Sequence, residues 1–150
     1  MTTFDQFITS LREEFGEQEA GKKFEIFCKW FLENDPEWSK SVDKVWLWDE
    51  YPNKWQSQDL GTDLVFHDKD GLVWAVQVKC YSEHRSTTKK DMNTFLADTG
   101  RSEVDKRLWL QTTNKIEAKA EKTCKGQDKP VTFFNLNNFR EAQIDCPTSF

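Results

Sequence analysis

The chain has 150 residues, room for one domain with its own core but not for two. Charged residues make up 31% and apolar residues 37%, the balance of a folded chain rather than a disordered one. There is no basic and apolar leader and no apolar run near the roughly 18 residues that a membrane span needs, so neither secretion nor membrane insertion is expected and a cytoplasmic location is.

The net charge of −5 argues against a free-standing DNA binder, because phosphate neutralisation supplies most non-specific affinity. The charge is uneven. Acids crowd the N-terminal third, while Arg85, Lys89, Lys90, Lys106, Arg107, Lys115, Lys119 and Lys122 follow in the second half. Cys28, Cys80, Cys124 and Cys146 form no CxxC pair and have no histidine at ligand spacing, which disfavours zinc and favours reduced thiols.

In chain order, Phe4, Phe7, Ile8, Leu11 and Phe15 recur at helical spacing and predict an amphipathic helix over 3–15, interrupted at Gly16. Phe24, Phe27, Cys28 and Phe31 form a second stripe, predicted to stop at Asn34-Asp35-Pro36, because the residue before proline avoids helical geometry. Residues 45–48 read as a short aromatic and β-branched strand, followed by a polar loop that holds Trp55 and ends near Gly61.

Two runs follow, Gly61-Thr62-Asp63-Leu64-Val65-Phe66 and Val73-Trp74-Ala75-Val76-Gln77-Val78-Lys79, read as adjacent strands joined by Lys69-Asp70-Gly71. Asp-Gly between such runs marks a hairpin. Beyond it, Thr87 and Thr88 are placed to cap a helix that runs to about Leu96. Residues 108–111 read as a buried strand, and Thr112 and Thr113 as caps for a helix over 115–125 that stops at Gly126. Residues 131–136 form a last strand before a helical turn around Phe139. The tail 144–150 has no hydrophobic period and reads as the start of a linker. The order is α/β, with a central mixed sheet flanked by helices and an antiparallel meander leading into helical crossovers.

The hairpin carries the chemistry. It sets Asp63 opposite Gln77 and Lys79, and those two, being two apart on a strand, share one face. A carboxylate, an amide and an ammonium thus meet at one sheet end. Asp63, the Gln77 side-chain carbonyl and the backbone carbonyl of Val78 are oxygen ligands of the kind Mg²⁺ prefers, with Mn²⁺ as a substitute. Lys79 beside them can orient water and offset charge on a phosphate. That set points to a nuclease. His67 and His84, the two histidines, have no Ser or Cys partner motif, and no phosphate-binding glycine loop is present.

These residues resemble the PD-(D/E)XK nuclease superfamily in its Mrr-like branch, where the glutamate of the last motif is often glutamine. The likeness is nearest to the N-terminal nuclease domain of Type ISP restriction–modification enzymes and related predicted helicases. Gly21-Lys22-Lys23-Phe24-Glu25 resembles the branch's first helix, and Val45-Trp46-Leu47-Trp48-Asp49-Glu50 its first strand. Leu60-Gly61-Thr62-Asp63-Leu64 and Gln77-Val78-Lys79 resemble its metal motifs. Leu108-Trp109-Leu110-Gln111-Thr112-Thr113-Asn114, with Ala118 and Ala120, resembles the next strand and helix.

The resemblance implies a restriction-endonuclease-like core. Residues 1–143 would form the nuclease domain, with 1–16 an N-terminal helical extension. It implies Asp63, Gln77 and Lys79 as the catalytic set and Glu25 as an accessory acid. It also implies double-stranded DNA as substrate, and a full-length protein with linked helicase, methyltransferase and target-recognition regions. Arg85, Lys89, Lys90, Lys115 and Lys119 are the expected phosphate contacts.

Two rival readings come from the same residues. Gln77 removes one negative charge and leaves room for a silent DNA-interaction module that keeps the nuclease fold. Trp38 and Trp55, read as exposed, suggest an assembly module.

Overall fold

The computed structural model describes residues 2–56 and 61–147. Leu60, which opens one of the motifs above, and Thr148, Ser149 and Phe150 of the tail lie outside the described residues.

Helix α1 runs Phe4–Asn34 and opens on a capping box in which Thr3 Oγ1 accepts the Gln6 N–H at 3.1 Å. The two apolar stripes therefore lie on one helical run, kinked at Gly16, whose φ of 76° and ψ of 170° only glycine adopts easily. Strand β1 spans Val42–Leu47, longer at its start than residues 45–48 alone suggest, and Trp48 falls in a 3₁₀ turn, Trp48–Glu50. Strands β2 (Leu64–Asp68) and β3 (Val73–Lys79) form the hairpin. At its turn, Asp68 Oδ1 accepts the N–H groups of Asp70 and Leu72, both at 3.0 Å, and Gly71 takes a φ of 83°.

Helix α2 (Lys89–Thr99) starts at Thr88, whose Oγ1 accepts the Asp91 N–H at 3.1 Å. Strand β4 (Lys106–Gln111), helix α3 (Ala118–Lys125), strand β5 (Val131–Phe134) and helix α4 (Leu136–Glu141) complete the order. Thr112 and Thr113 do not cap α3, which begins later, after Glu117. Their hydroxyls donate instead to the carbonyls of Tyr81 at 2.5 Å and Glu83 at 3.0 Å, tying the exit of β3 to the exit of β4.

The five strands lie in sequence order, β1–β2–β3 antiparallel and β3–β4–β5 parallel. This is a restriction-endonuclease-like α/β architecture, a mixed sheet with helices on both faces. Strand alternation sorts β3 between two cores. Val76 and Val78 pack with Phe24, Phe27 and Phe31 of α1 and Phe139 of α4. Ala75 packs with Met92 and Phe95 of α2 and Trp109 of β4. Gln77 and Lys79 share parity with Ala75, so both belong to the α2 side.

Three expectations change here. Trp38 is half-buried, edge-on to Phe66, Trp74 and Phe134. Trp55 packs on Trp48 and Tyr51. Neither is the exposed aromatic that the assembly reading relied on. The tail also packs back. Ile144 and the buried Cys146 join the α1-side core, and Asp145 Oδ1 accepts the Thr2 N–H at 2.7 Å, so the packed body continues past residue 143. The four cysteines are free thiols.

Candidate active site at the ends of the central strands

The site forms where β2 begins and β3 ends. Asp63 is clamped by its backbone on both sides. Its N–H donates to the Val76 carbonyl at 2.8 Å, and its carbonyl accepts the Trp48 N–H at 2.9 Å. Just upstream, Gly61 has a φ of 135°, and a Cβ there would stand 3.2 Å from the Thr94 carbonyl of α2. Thr62 donates from Oγ1 to Asp98 Oδ2 at 2.6 Å, and both side chains are buried. The segment that carries Asp63 is thus fixed against α2 just before β2 enters the sheet.

The Asp63 side chain turns across to β3. Its Oδ2 accepts the Val78 backbone N–H at 2.8 Å and the Gln77 amide in a short contact. Gln77 is 6% exposed, and its Nε2 lies 3.4 Å from the Val78 carbonyl oxygen. Three oxygen-bearing groups therefore gather at one point: the Asp63 carboxylate, the Gln77 amide and the Val78 carbonyl. Lys79, one pleat further on, carries its ammonium 5.9 Å from the centre of the buried Trp109 ring. Gln111, also buried, accepts the Trp109 indole N–H at 2.8 Å and the Thr87 hydroxyl at 2.5 Å, which fixes that ring.

Asp63, Gln77 and Lys79 open into a cleft of about 400 Å³ lined also by Gly61, Lys90, Asp91 and Thr94. Asp91 was not singled out in the sequence, where it reads as an ordinary first-turn acid of a helix. Its Oδ2 accepts the Tyr81 hydroxyl at 2.8 Å and the Thr88 N–H at 3.3 Å. Burial pushes its pKa up, but the Tyr81 and Thr88 hydrogen bonds and the charge of Lys79 outweigh that and leave it lowered. Burial and the same Asp91 partner push the Tyr81 phenol well up.

Glu25 lies on α1, half-buried, outside the residues that line this cleft. The wholly buried Cys28 thiol is pushed well up, first by burial and then by the charges of Cys80, Glu25 and Asp63.

Among the expected phosphate contacts, Lys90 lines the cleft. Arg85 is exposed and stacks its guanidinium 3.8 Å from the centre of the Tyr81 ring, next to the cleft through the Tyr81–Asp91 bond. Lys89, Lys115 and Lys119 are exposed and do not line it. Arg107, in contrast, is 2% exposed and structural. It donates to Thr99 Oγ1 at 2.7 Å and to the carbonyls of Leu96 and Lys129, at the C-terminal end of α2. His67 faces the Tyr51 hydroxyl at 3.0 Å within an aromatic cluster, and His84 is exposed.

A strand-end aspartate, a Gln-x-Lys on the adjacent strand and a helix in front on a mixed sheet define a nuclease fold of the restriction-endonuclease type. Residues 33–150 match the Mrr-type catalytic domain described as a restriction endonuclease, and the chain belongs to that family. No curated protein matches the chain. Among solved structures, it is similar to an ATP-dependent Type ISP restriction-modification enzyme, LlaBIII, bound to DNA. That likeness has 26% identity and a TM-score of 0.74, and covers 97% of this chain but 9% of the enzyme. It shares its fold with the DNA modification-dependent restriction endonuclease AspBHI, at 13% identity and a TM-score of 0.60 over 90% of this chain and 33% of that one. It also shares it with the MspJI restriction endonuclease in complex with a 27-mer oligonucleotide, at 16% identity and 0.57 over 89% and 29%.

Proposed function

We propose that this chain is the Mg²⁺-dependent endonuclease domain of a larger restriction–modification enzyme and hydrolyses phosphodiester bonds in double-stranded DNA. The observation that carries the reading is the meeting of Asp63, Gln77 and the Val78 carbonyl beside Lys79 in one cleft. The larger enzyme, with linked helicase, methyltransferase and target-recognition regions, is supported by the likeness to a Type ISP protein of which this chain spans 9%.

The donor set suits a hard cation. All three groups offer oxygen, and a half-turn of the Gln77 amide exchanges Nε2 for Oε1 beside Asp63. Asp63, Gln77 and Val78 would hold the ion. When bound, it supplies Lewis-acid polarisation of the phosphate and lowers the pKa of water.

The chain's own residues supply the rest. Lys79, the nearest cation on the same strand, offers its ammonium to the phosphate oxygens as charge grows on them. The Thr62–Asp98 bond and the clamped Asp63 backbone hold the carboxylate in place, which spares the reaction a reorganisation step. Glu25 serves as an accessory acid from α1. Lys90 and Arg85, with Lys89, Lys115 and Lys119 further out, are the proposed phosphate contacts, and they steer DNA electrostatically.

A second reading, a DNA-interaction module that does not cut, draws on the neutral Gln77, which leaves the donor set a single carboxylate. Nicking of supercoiled plasmid with Mg²⁺ or Mn²⁺ separates the two. The nuclease reading expects nicking by the wild type and none by Asp63→Asn or Lys79→Ala. DNA binding by the wild type with no nicking under either ion supports the silent module.

A further inference from the structure

We propose that Asp91 is the second carboxylate of the cation site and replaces, from helix α2, the negative charge that Gln77 lacks. The inference rests on the proposed cation-dependent function and names a residue that the motif does not contain.

Divalent Mg²⁺ and Mn²⁺ are held by charge as much as by geometry, and a neutral amide attracts them less than an anion does. With Gln77 in place, Asp63 is the only anionic group among the three donors on the strands. Among the described residues that line the cleft in front of them there is one other acid, Asp91. It lines the same cleft as Gln77 and Lys79, from the first turn of α2.

The bland alternative is that Asp91 only caps its helix, and its bonding argues against that. A capping acid is satisfied by the helix N-terminus, and here the Thr88 N–H contact is long, at 3.3 Å. The stronger bond comes from Tyr81, outside the helix, at 2.8 Å. Both fall on Oδ2. Among the described residues no hydrogen bond falls on Oδ1, and Asp91 lines the cleft. The Tyr81 ring is itself held by the Arg85 guanidinium at 3.8 Å, so the acid stands on a braced arm.

Asp91 would act on the hydration water of the ion rather than on the ion itself. Mg²⁺ keeps several waters when few protein ligands are offered, and a carboxylate facing them is a usual partner.

The test is Mn²⁺ affinity of the DNA-free chain, measured by calorimetry and by the electron paramagnetic resonance of free Mn²⁺, so no cleavage is needed. Asp91→Asn keeps an acceptor oxygen for the Tyr81 hydroxyl and the Thr88 N–H but removes the charge. It should weaken Mn²⁺ about tenfold, the size expected for one charge a few ångströms away in a wet site. Adding Gln77→Glu to that variant should restore the affinity, because it returns the charge from the strand side. A purely helix-capping Asp91 predicts no loss of affinity in Asp91→Asn, so that loss is the discriminating result. Asp91→Gln, which also lacks the charge and suits a helix, serves if the asparagine variant melts early.

Affinity within twofold of wild type for both Asp91 variants, with binding lost in Asp63→Asn, overturns the role of Asp91 and leaves the cation site standing. Unchanged binding in Asp63→Asn overturns the cation site itself, and this inference with it.

Discussion

The backbone N–H of Val78 donates to Asp63 Oδ2 at 2.8 Å, so the carboxylate that faces the cleft also closes the open end of the hairpin. One group does two tasks, and substitutions can separate them. Asp63→Ala leaves the Val78 N–H without its partner, which costs about 1–3 kcal/mol. Asp63→Asn keeps an acceptor oxygen and should melt near the wild type. Both should lose nicking. Urea melts alongside plasmid nicking check this, and an asparagine variant that nicks at the wild-type rate removes Asp63 from the donor set.

Thr62 and Asp98 are 36 residues apart yet share a buried 2.6 Å bond, which pins the approach to Asp63 against α2. Thr62→Val should cost about 1–3 kcal/mol, since a buried acceptor loses a donor. Nicking should fall further than stability alone explains, because the carboxylate loses its register. Gly61→Ala should act the same way, because its φ of 135° and the nearby Thr94 carbonyl strain any side chain there. Rates measured well below the melting temperature separate the two effects.

How far the sequence foretells this arrangement depends on the range of the interaction. Asp63, Gln77 and Lys79 are legible because a two-residue period and an Asp-Gly turn fix a hairpin register locally. Helix α1 is legible to its last residue, because Pro36 ends it. Asp91 is not, since a first-turn acid after a threonine is fully explained by capping, and only the fold turns that helix toward β3. Thr112 and Thr113 look like caps by the same local logic, but the β3 exit claims their hydroxyls first. Trp38 and Trp55 sit in polar stretches, and only tertiary packing against Phe66, Trp74, Trp48 and Tyr51 half-buries them.

DNA binding should be weak and strongly salt-dependent, because the chain carries a net charge of −5 and relies on a local basic rim. Lys90→Ala should lower the slope of log affinity against log salt by about one unit, the loss of one phosphate contact. Lys125→Ala, paired with Glu121 on α3 at 3.9 Å, should leave the slope unchanged. Fluorescence anisotropy with a short duplex across a salt series measures both. Equal slopes for the Lys90 variant and the wild type would take Lys90 off the DNA path.

Gln77→Glu is the sharpest probe of the site, because its effect changes sign with metal. Gln77 donates its amide to Asp63 Oδ2 and is 6% exposed. A carboxylate there sets two acids against each other in a nearly buried place, and one of them must hold its proton to higher pH than in the unfolded chain. A raised folded pKa means stability present below the unfolded carboxylate range, near about 4, and lost as pH rises through the folded value. In EDTA, then, the variant should melt below the wild type at pH 7.5, and the gap should close as pH falls toward 4. Saturating Mg²⁺ should reverse the order, because the second anion now binds the ion, and stabilisation grows with affinity. Thermal melts in EDTA and in Mg²⁺ across that pH range read the effect directly. Identical melting of variant and wild type in EDTA at every pH would mean that Gln77 does not face Asp63. The Val78 carbonyl would then be the one strand group left to stand with Asp63 in the site.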